Sequence, residues 1–252
     1  MKKEVGHHFL AKLGKRRLRP GGIEATDWLI NKAGISAESQ VLEVACNMGT
    51  TAIELARQIG CRITGIDMDA KALEKAKRNI REAGLAERIE VKQANALKLP
   101  FADASFDIVI NEAMLTMLNQ AAKQKAIAEY HRVLKPGGML LTHDITYFKD
   151  DMKAELRELQ QTIHVQVEPL PVADWERLFY DTGFAAVAHT TGPMSLMKPT
   201  GMLRDEGLLG SLRIALNGLR KENRGQFQEM YRFFNRAGKD LHYIAVCSRK
   251  RA

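Results

Sequence analysis

Apolar and polar positions along the chain switch repeatedly between two periods. After the polar residues Ser36, Glu38 and Ser39, the run Val41-Leu-Glu-Val-Ala45 reads as a short buried strand, and Thr50 to Ile59 reads as a helix. Arg62 to Asp67 is a second strand, followed by a helix from Ala70 to Gly84 with Leu73, Ala76, Ile80 and Ala83 on one face. Arg88 to Gln93 and Phe106 to Ile110 are the third and fourth strands. A helix from Ala121 to Leu134 then ends at Lys135-Pro-Gly-Gly138, and Met139 to His143 is the fifth strand. Strands alternating with helices predict a doubly wound α/β fold, a parallel sheet covered on both faces by right-handed crossovers. Its ligand crevice lies at the carboxyl ends of the strands, where strand order reverses.

Beyond Asp144 the rhythm loosens. Helices are predicted over Lys149 to Gln161 and Val172 to Thr182, and strands over Phe184 to Thr190 and Leu241 to Cys247. The connection between those last strands is far longer than the roughly 2–5 residues of a hairpin loop, so 192–239 reads as a helical insertion. One domain spans 1–252: a leading segment 1–35, a core of 36–191 and 240–248, and the insertion.

Composition agrees with a single large domain. The chain has 252 residues, 45% hydrophobic and 27% charged, enough to bury a core without disulfides or metal. No run approaches the roughly 18 apolar residues of a membrane span, and the leading Met1 to Arg17 lacks the apolar centre of a signal peptide. The expected location is cytoplasmic. Cys46, Cys61 and Cys247 are too scattered for a disulfide framework, and no Cys/His spacing suggests a metal site. The net charge of +8 looks like an invitation to nucleic acid until it is located. Residues 1–20 carry +6 and the last four residues +3, which leaves −1 for everything between. The basic residues read as two terminal arms, available to an acidic partner or to solubility.

The segments Val41-Leu-Glu-Val-Ala-Cys-Asn-Met-Gly49, Ile66-Asp67-Met-Asp69, Gln93-Ala-Asn95, Ser105-Phe-Asp-Ile-Val109 and Glu129 to Gly138 stand in one order. Together, over residues 36 to 145, they resemble the nucleoside-binding half of class I S-adenosylmethionine-dependent methyltransferases, with a flavour of the ubiquinone/menaquinone small-molecule group. The resemblance implies a Rossmann-like seven-stranded sheet, mostly parallel with the last strand antiparallel, and an N-terminal helical lid over residues 1–35. It implies S-adenosylmethionine as cofactor, a small-molecule acceptor, and a donor site at Glu43, Ala45, Cys46, Asn47, Gly49, Asp67, Met68, Asn95, Ala96 and Asn111. It assigns Glu43 to the methionine moiety and Asn95 to the adenine amino group, where an aspartate is usual.

The residue chemistry supports several of these assignments. A carboxylate after the second strand can accept from two vicinal hydroxyls, which suits Asp67 to a ribose. The helix beginning near Thr50 points its positive end at the donor's carboxylate. Ala45 and Asn47 stand where glycines are expected; Asn tolerates a left-handed backbone best after glycine, and this donor has no phosphate to approach. The loss of glycines therefore argues against a dinucleotide more than against S-adenosylmethionine. Asn95 reads equally well as a turn residue.

For a general base, His143 is the first candidate because an unperturbed imidazole, with a pKa of about 6.5, suits proton removal at neutral pH, and Glu112, Asn111 and Asp144 share the expected strand ends. Asn111-Glu112-Ala-Met114 lacks the prolines and aromatic used to hold an extruded base, which disfavours nucleic acid. Two alternatives remain open at this stage: methylation of RNA or protein, and a non-catalytic S-adenosylmethionine-binding accessory protein.

Overall fold

The computed structural model describes residues 3–237 and 240–252. Residues 1, 2, 238 and 239, which belong to the expected lid and insertion, lie outside the described residues. Seven strands form one sheet in the order β3-β2-β1-β4-β5-β7-β6. β1 (Gln40–Val44), β2 (Arg62–Asp67), β3 (Ile89–Gln93), β4 (Phe106–Glu112) and β5 (Leu134–Tyr147) are parallel. β7 (Leu241–Lys250) lies antiparallel between β5 and β6 (Phe184–Pro193). The chain works outward from β1 to β3 and then returns to place β4 on the other side of β1. That reversal sets the crevice between the ends of β1 and β4.

Alternation along the strands builds two cores. Val41, Ile63, Ile108 and Leu141 face α2 (Gly22–Ala33), α3 (Thr50–Ile59) and α4 (Ala70–Glu82). Leu42, Val44, Val109 and Leu140 face α5 (Gln120–Val133) and α7 (Val172–Asp181). Trp175 is fully buried in the second core and ties α7 to β5 by donating its indole N–H to the Ile145 carbonyl at 3.0 Å. A third core joins the chain's beginning to its insertion: α1 (Gly6–Leu13), α6 (Lys153–Ile163), α8 (Pro199–Leu219) and α9 (Arg224–Ala237) pack around Phe9, Leu10, Met197, Met230 and Phe233. Met194, Met197 and Met202 belong to this core.

The structure corrects the expected elements in three places. β5 does not stop at His143 but continues to Tyr147, because β7 pairs with it residue for residue from Met139 to Tyr147. β4 likewise runs to Glu112, so Asn111, Glu112, His143 and Asp144 lie within strands rather than after them. An additional helix, α1, precedes α2 at the amino end.

The reading of the amino end as a basic arm is corrected for three of its cations. Lys15, Arg17 and Arg19 are buried, each facing carboxylates. Lys15 sits 3.4 Å from Glu206 and 3.9 Å from Asp205, both on α8, and the backbone N–H groups of Arg16 and Arg17 each donate to Glu206 at 3.0 Å. Arg17 pairs with Glu54 of α3. At the other end Lys250 donates to the carbonyls of His131 and Leu134, both at 2.7 Å, and so finishes α5. Three of the seven cations in residues 1–20 are therefore structural: charges that could not be buried alone are matched by acids of the nearly neutral body, while Lys3, Lys12 and Arg16 stay at the surface.

Candidate active site

The loop after β1 is held in a conformation that ordinary residues avoid. Ala45, Asn47 and Gly49 all have left-handed backbones, with φ of 58°, 47° and 73°. Asn47 is there at modest cost, as its short polar side chain allows, whereas Ala45 carries a Cβ against the following carbonyl. Ala45→Gly should raise stability by about 0.5–1 kcal/mol, after allowing for the extra freedom glycine gains on unfolding. Calorimetry should show Tm about 1–4 °C higher.

The loop is fastened by Asp67 at the end of β2. One carboxylate oxygen accepts from the Asn47 N–H at 2.8 Å and the other from the Asp69 N–H at 2.9 Å. Each oxygen keeps a lone pair for a ligand. Asp69 in turn accepts from the Lys71 and Ala72 N–H groups and caps α4.

Above this loop is a cavity of about 540 Å³, within the range of small-molecule sites. Of the residues singled out from the sequence, Glu43, Ala45, Cys46, Asn47, Asp67, Met68, Asn95, Ala96 and Glu112 line it. Gly49 lies behind it, starting α3 and donating to the Cys46 carbonyl at 2.8 Å. Asn95 uses its carboxamide oxygen to accept from Leu97 N–H at 2.9 Å, so its turn role is real, and one lone pair remains. Asn111 turns away: it is fully buried against the Tyr130 hydroxyl and does not reach the cavity.

The roof comes from the amino end. His7 and His8 of α1, with Arg16, Leu18 and Arg19, complete the lining. Arg19 donates to the Thr51 hydroxyl at 2.6 Å and to Glu112 at 2.9 Å, and the Thr51 hydroxyl donates to Glu112 at 3.0 Å. Thr26 donates to the other oxygen of Glu112. Burial pushes the Glu112 carboxyl up, but Arg19 and the hydrogen bonds from His143 and Thr26 outweigh it and hold the group at about 2. Glu112 is therefore a fixed anion and a poor base.

His143 is equally committed. Its Nε2 accepts from the Gly21 N–H at 2.9 Å, which places the ring proton on Nδ1, 3.2 Å from Glu112. The side chain is fully buried and outside the cavity lining. The expectation of a general base at His143 is corrected on this geometry: its only lone pair is spent on the backbone of the roof. Glu112 and His143 fasten the residues 19–26 to the sheet.

Two polar atoms of the cavity wall have no partner: Glu43 Oε2 and Arg19 Nη2, both buried. Burial and the neighbouring Glu112 push the Glu43 carboxyl up to about 8, against the pull of Arg19. A buried acid and a buried guanidinium with open valences match the ammonium and carboxylate of an amino-acid ligand. The sequence reading missed Arg19, Thr51, Thr26 and the α1 histidines. A signal did exist: Glu54 stands between Ile53 and Leu55, and Glu112 ends an apolar strand before Ala113 and Met114, so both require cations if buried.

Beside this cavity lies a smaller one of about 70 Å³, apolar for most of its wall, with Leu159, Ile163, Met194, Met230 and Phe234 contributed from α6, α9 and the end of β6. The two share His7, Leu18, Ala113 and Met117. Asp144 and Thr116 supply polar groups to the smaller cavity. Burial raises the Asp144 carboxyl, although bonds from Thr116 N–H at 3.0 Å and Ile145 N–H at 2.9 Å oppose this.

A crevice at the strand-order reversal, a carboxylate after β2 with a free lone pair on each oxygen, and an unpaired buried acid and guanidinium beside it form the kind of site a nucleoside carrying an amino acid would fit. Comparison with known proteins agrees. Residues 41–138 match a family model described as a methyltransferase domain. The chain is 56% identical to an uncharacterized protein of Haemophilus influenzae, over 99% of both chains. It is 30% identical to the uncharacterized methyltransferase YodH of Bacillus subtilis, over 75% of this chain and 76% of that one. A geranyl diphosphate methyltransferase solved with S-adenosylmethionine shares the fold, with TM-score 0.68 at 15% identity over 90% of this chain and 84% of that one. The chain belongs to the class I S-adenosylmethionine-dependent methyltransferases. It is an enzyme of that class, with S-adenosylmethionine as its cofactor.

Proposed function

We propose that the enzyme methylates a compact, uncharged, apolar small molecule held in the smaller cavity. The carrying observation is that this apolar cavity abuts the donor cavity and shares Leu18, Ala113 and Met117 with it. S-adenosylmethionine supplies a methyl group on a sulfonium, and transfer to an aligned nucleophile needs no covalent enzyme intermediate. The protein's work is to bind, align and exclude water. Asp67 accepts from the ribose hydroxyls, Met68 and Ala96 flank the adenine, and Asn95 accepts from its amino group. Glu43 meets the donor's ammonium and Arg19 its carboxylate. Residues 3–35 act as the lid, latched through Glu112 and His143. Asp144, whose pKa burial raises, takes the acceptor's proton, and its negative charge disfavours anionic acceptors.

Burial of Lys15, Arg17 and Arg19 weakens the reading as an RNA or acidic-protein enzyme, because phosphate contacts need accessible cations and these three are spent on internal acids. The reading is tested by incubating the enzyme with methyl-labelled donor and fractionated cell extract. Label should appear by mass spectrometry in a solvent-extractable small molecule; label confined to RNA or protein would refute it.

The Glu43 role predicts proton release. At pH 7 a carboxyl near 8 is mostly protonated and must ionise to meet the donor's ammonium. Calorimetric titration in buffers of different ionisation enthalpy should show close to one proton released per donor bound, and Glu43→Gln should show none. Equal proton release by both proteins would remove Glu43 from the ammonium site.

A further inference from the structure

The second half of α8 carries a face that no described residue covers. Leu208, Leu209, Leu212, Leu216 and Leu219 are 73, 82, 54, 59 and 55% exposed. Their spacing of three and four residues lays them along one side of the helix. The opposite side holds Ile214 and Gly218, both buried, so the helix is already seated and the leucines face outward by construction. Gly218 lies hard against the Phe227 ring, where an added Cβ would stand 2.5 Å away, and this fixes the rotation of the helix.

The helix is broken just before the stripe. Gly207 has φ of 72° inside α8, which separates the leucine half from Asp205 and Glu206, the acids tied to the amino end. From Gly207 to Lys221 the chain contains no acidic residue, while Arg213, Arg220 and Lys221 are basic. Arg213 and Arg220 border the same shallow groove as Leu209, Leu212 and Leu216. The result is a leucine stripe about 100° wide with cations along its edge and no acid within it, the next one being Glu222 just past its end.

We propose that this segment docks the enzyme on an anionic lipid surface, the leucines entering the acyl boundary and Arg213, Arg220 and Lys221 meeting lipid phosphates. This is the chemistry of an interfacial amphipathic helix. No described helix is long and apolar enough to cross a membrane, so the helix lies in the plane of the surface. A second copy fits less well, because pairing would set two acid-free basic faces against each other. A protein partner fits less well because the stripe has no Trp or Tyr, the anchors that dominate protein interfaces. The proposal stands apart from the choice of acceptor, since none of these leucines lines either cavity.

The test is co-sedimentation of the full-length enzyme with vesicles. It should pellet with phosphatidylcholine–phosphatidylglycerol vesicles, pellet poorly with phosphatidylcholine alone, and lose several-fold in partition when NaCl rises from about 0.1 to about 0.5 M. Leu209→Glu with Leu216→Glu should cut partition at least about tenfold, with S-adenosylmethionine binding and the melting temperature unchanged. Arg213→Gln with Arg220→Gln, a change that spares the apolar face, should bring anionic vesicles down towards the neutral ones. No pelleting with anionic vesicles at low salt, or pelleting that survives both pairs of substitutions, overturns the proposal. So does light scattering that finds a dimer dissociated by the leucine substitutions, since a second copy would then be the occupant.

Discussion

Asp67→Ala is expected to lower S-adenosylmethionine affinity by about a hundredfold or more in calorimetric titration, the largest effect of any single change in the donor site. Two losses combine. The ribose hydroxyls lose charged acceptors, each such bond being worth about 1.5–3 kcal/mol in a buried site. The loop also loses its fastening, because Asp67 holds the Asn47 N–H at 2.8 Å and the Asp69 N–H at 2.9 Å. With Ala45 and Asn47 both left-handed, the loop has reason to relax once released. Asp67→Asn separates the two contributions. The amide keeps the shape and one acceptor oxygen, so it should retain part of the loop order and lose about tenfold in affinity. Wild-type affinity in Asp67→Ala would remove the ribose role altogether.

Asp67 was legible in the sequence for a reason that does not extend to the whole site. Its position follows from local information, the end of a short apolar strand before a helix, and the topology of alternating elements brings such ends together. The same holds for Glu43, Ala45 and Asn47. Arg19 is different. It precedes Pro20-Gly21-Gly22 in a run of cations, and counting charge along the chain makes that run look like a solvated tail. Only the third dimension places Glu54, Glu112, Asp205 and Glu206 around it, from three elements far apart in sequence. His143 fails in the opposite direction. An imidazole at a strand end suggests a base, but a strand longer than its apolar core buries it, and the Gly21 N–H occupies the nitrogen a base would need. Helix α1 was hidden because its apolar face, Phe9, Leu10 and Leu13, is shorter than two full repeats and meets its partners only in the insertion. Local pattern reveals strands and their ends; it does not reveal which buried charges will find one another.

The second large effect belongs to Glu112. Glu112→Ala should destabilise the enzyme by about 3–5 kcal/mol, because removing one member of a buried ion pair leaves the other charge without compensation. Arg19, 2.9 Å away and buried, would keep only the Thr51 hydroxyl and the Gly22 carbonyl. The His143 Nδ1 proton and the Thr26 hydroxyl would lose their acceptor at the same time. At this chain length the loss corresponds to a fall in Tm of about 6–20 °C. A fall of less than about 3 °C would show that the latch carries little of the stability. The pH dependence separates Glu112 from the other buried acid of the cavity. Glu112 is held at about 2 in the folded protein, below its ordinary 4.5, so its contribution is complete above pH 4.5 and is lost as pH falls towards 2. Glu43 has the opposite sign. Raised to about 8, it favours the folded state only while protonated, so the donor-free enzyme loses stability as pH rises from 4.5 to 8. Denaturant titrations of donor-free Glu43→Gln should lack that decline, while Glu112→Ala should lose the acid-side dependence and show a smaller decline, because burial still raises Glu43 but the Glu112 charge no longer does. Saturating donor should flatten the wild-type curve between pH 6 and 8, because it supplies the cation that makes an ionised Glu43 welcome in a buried wall.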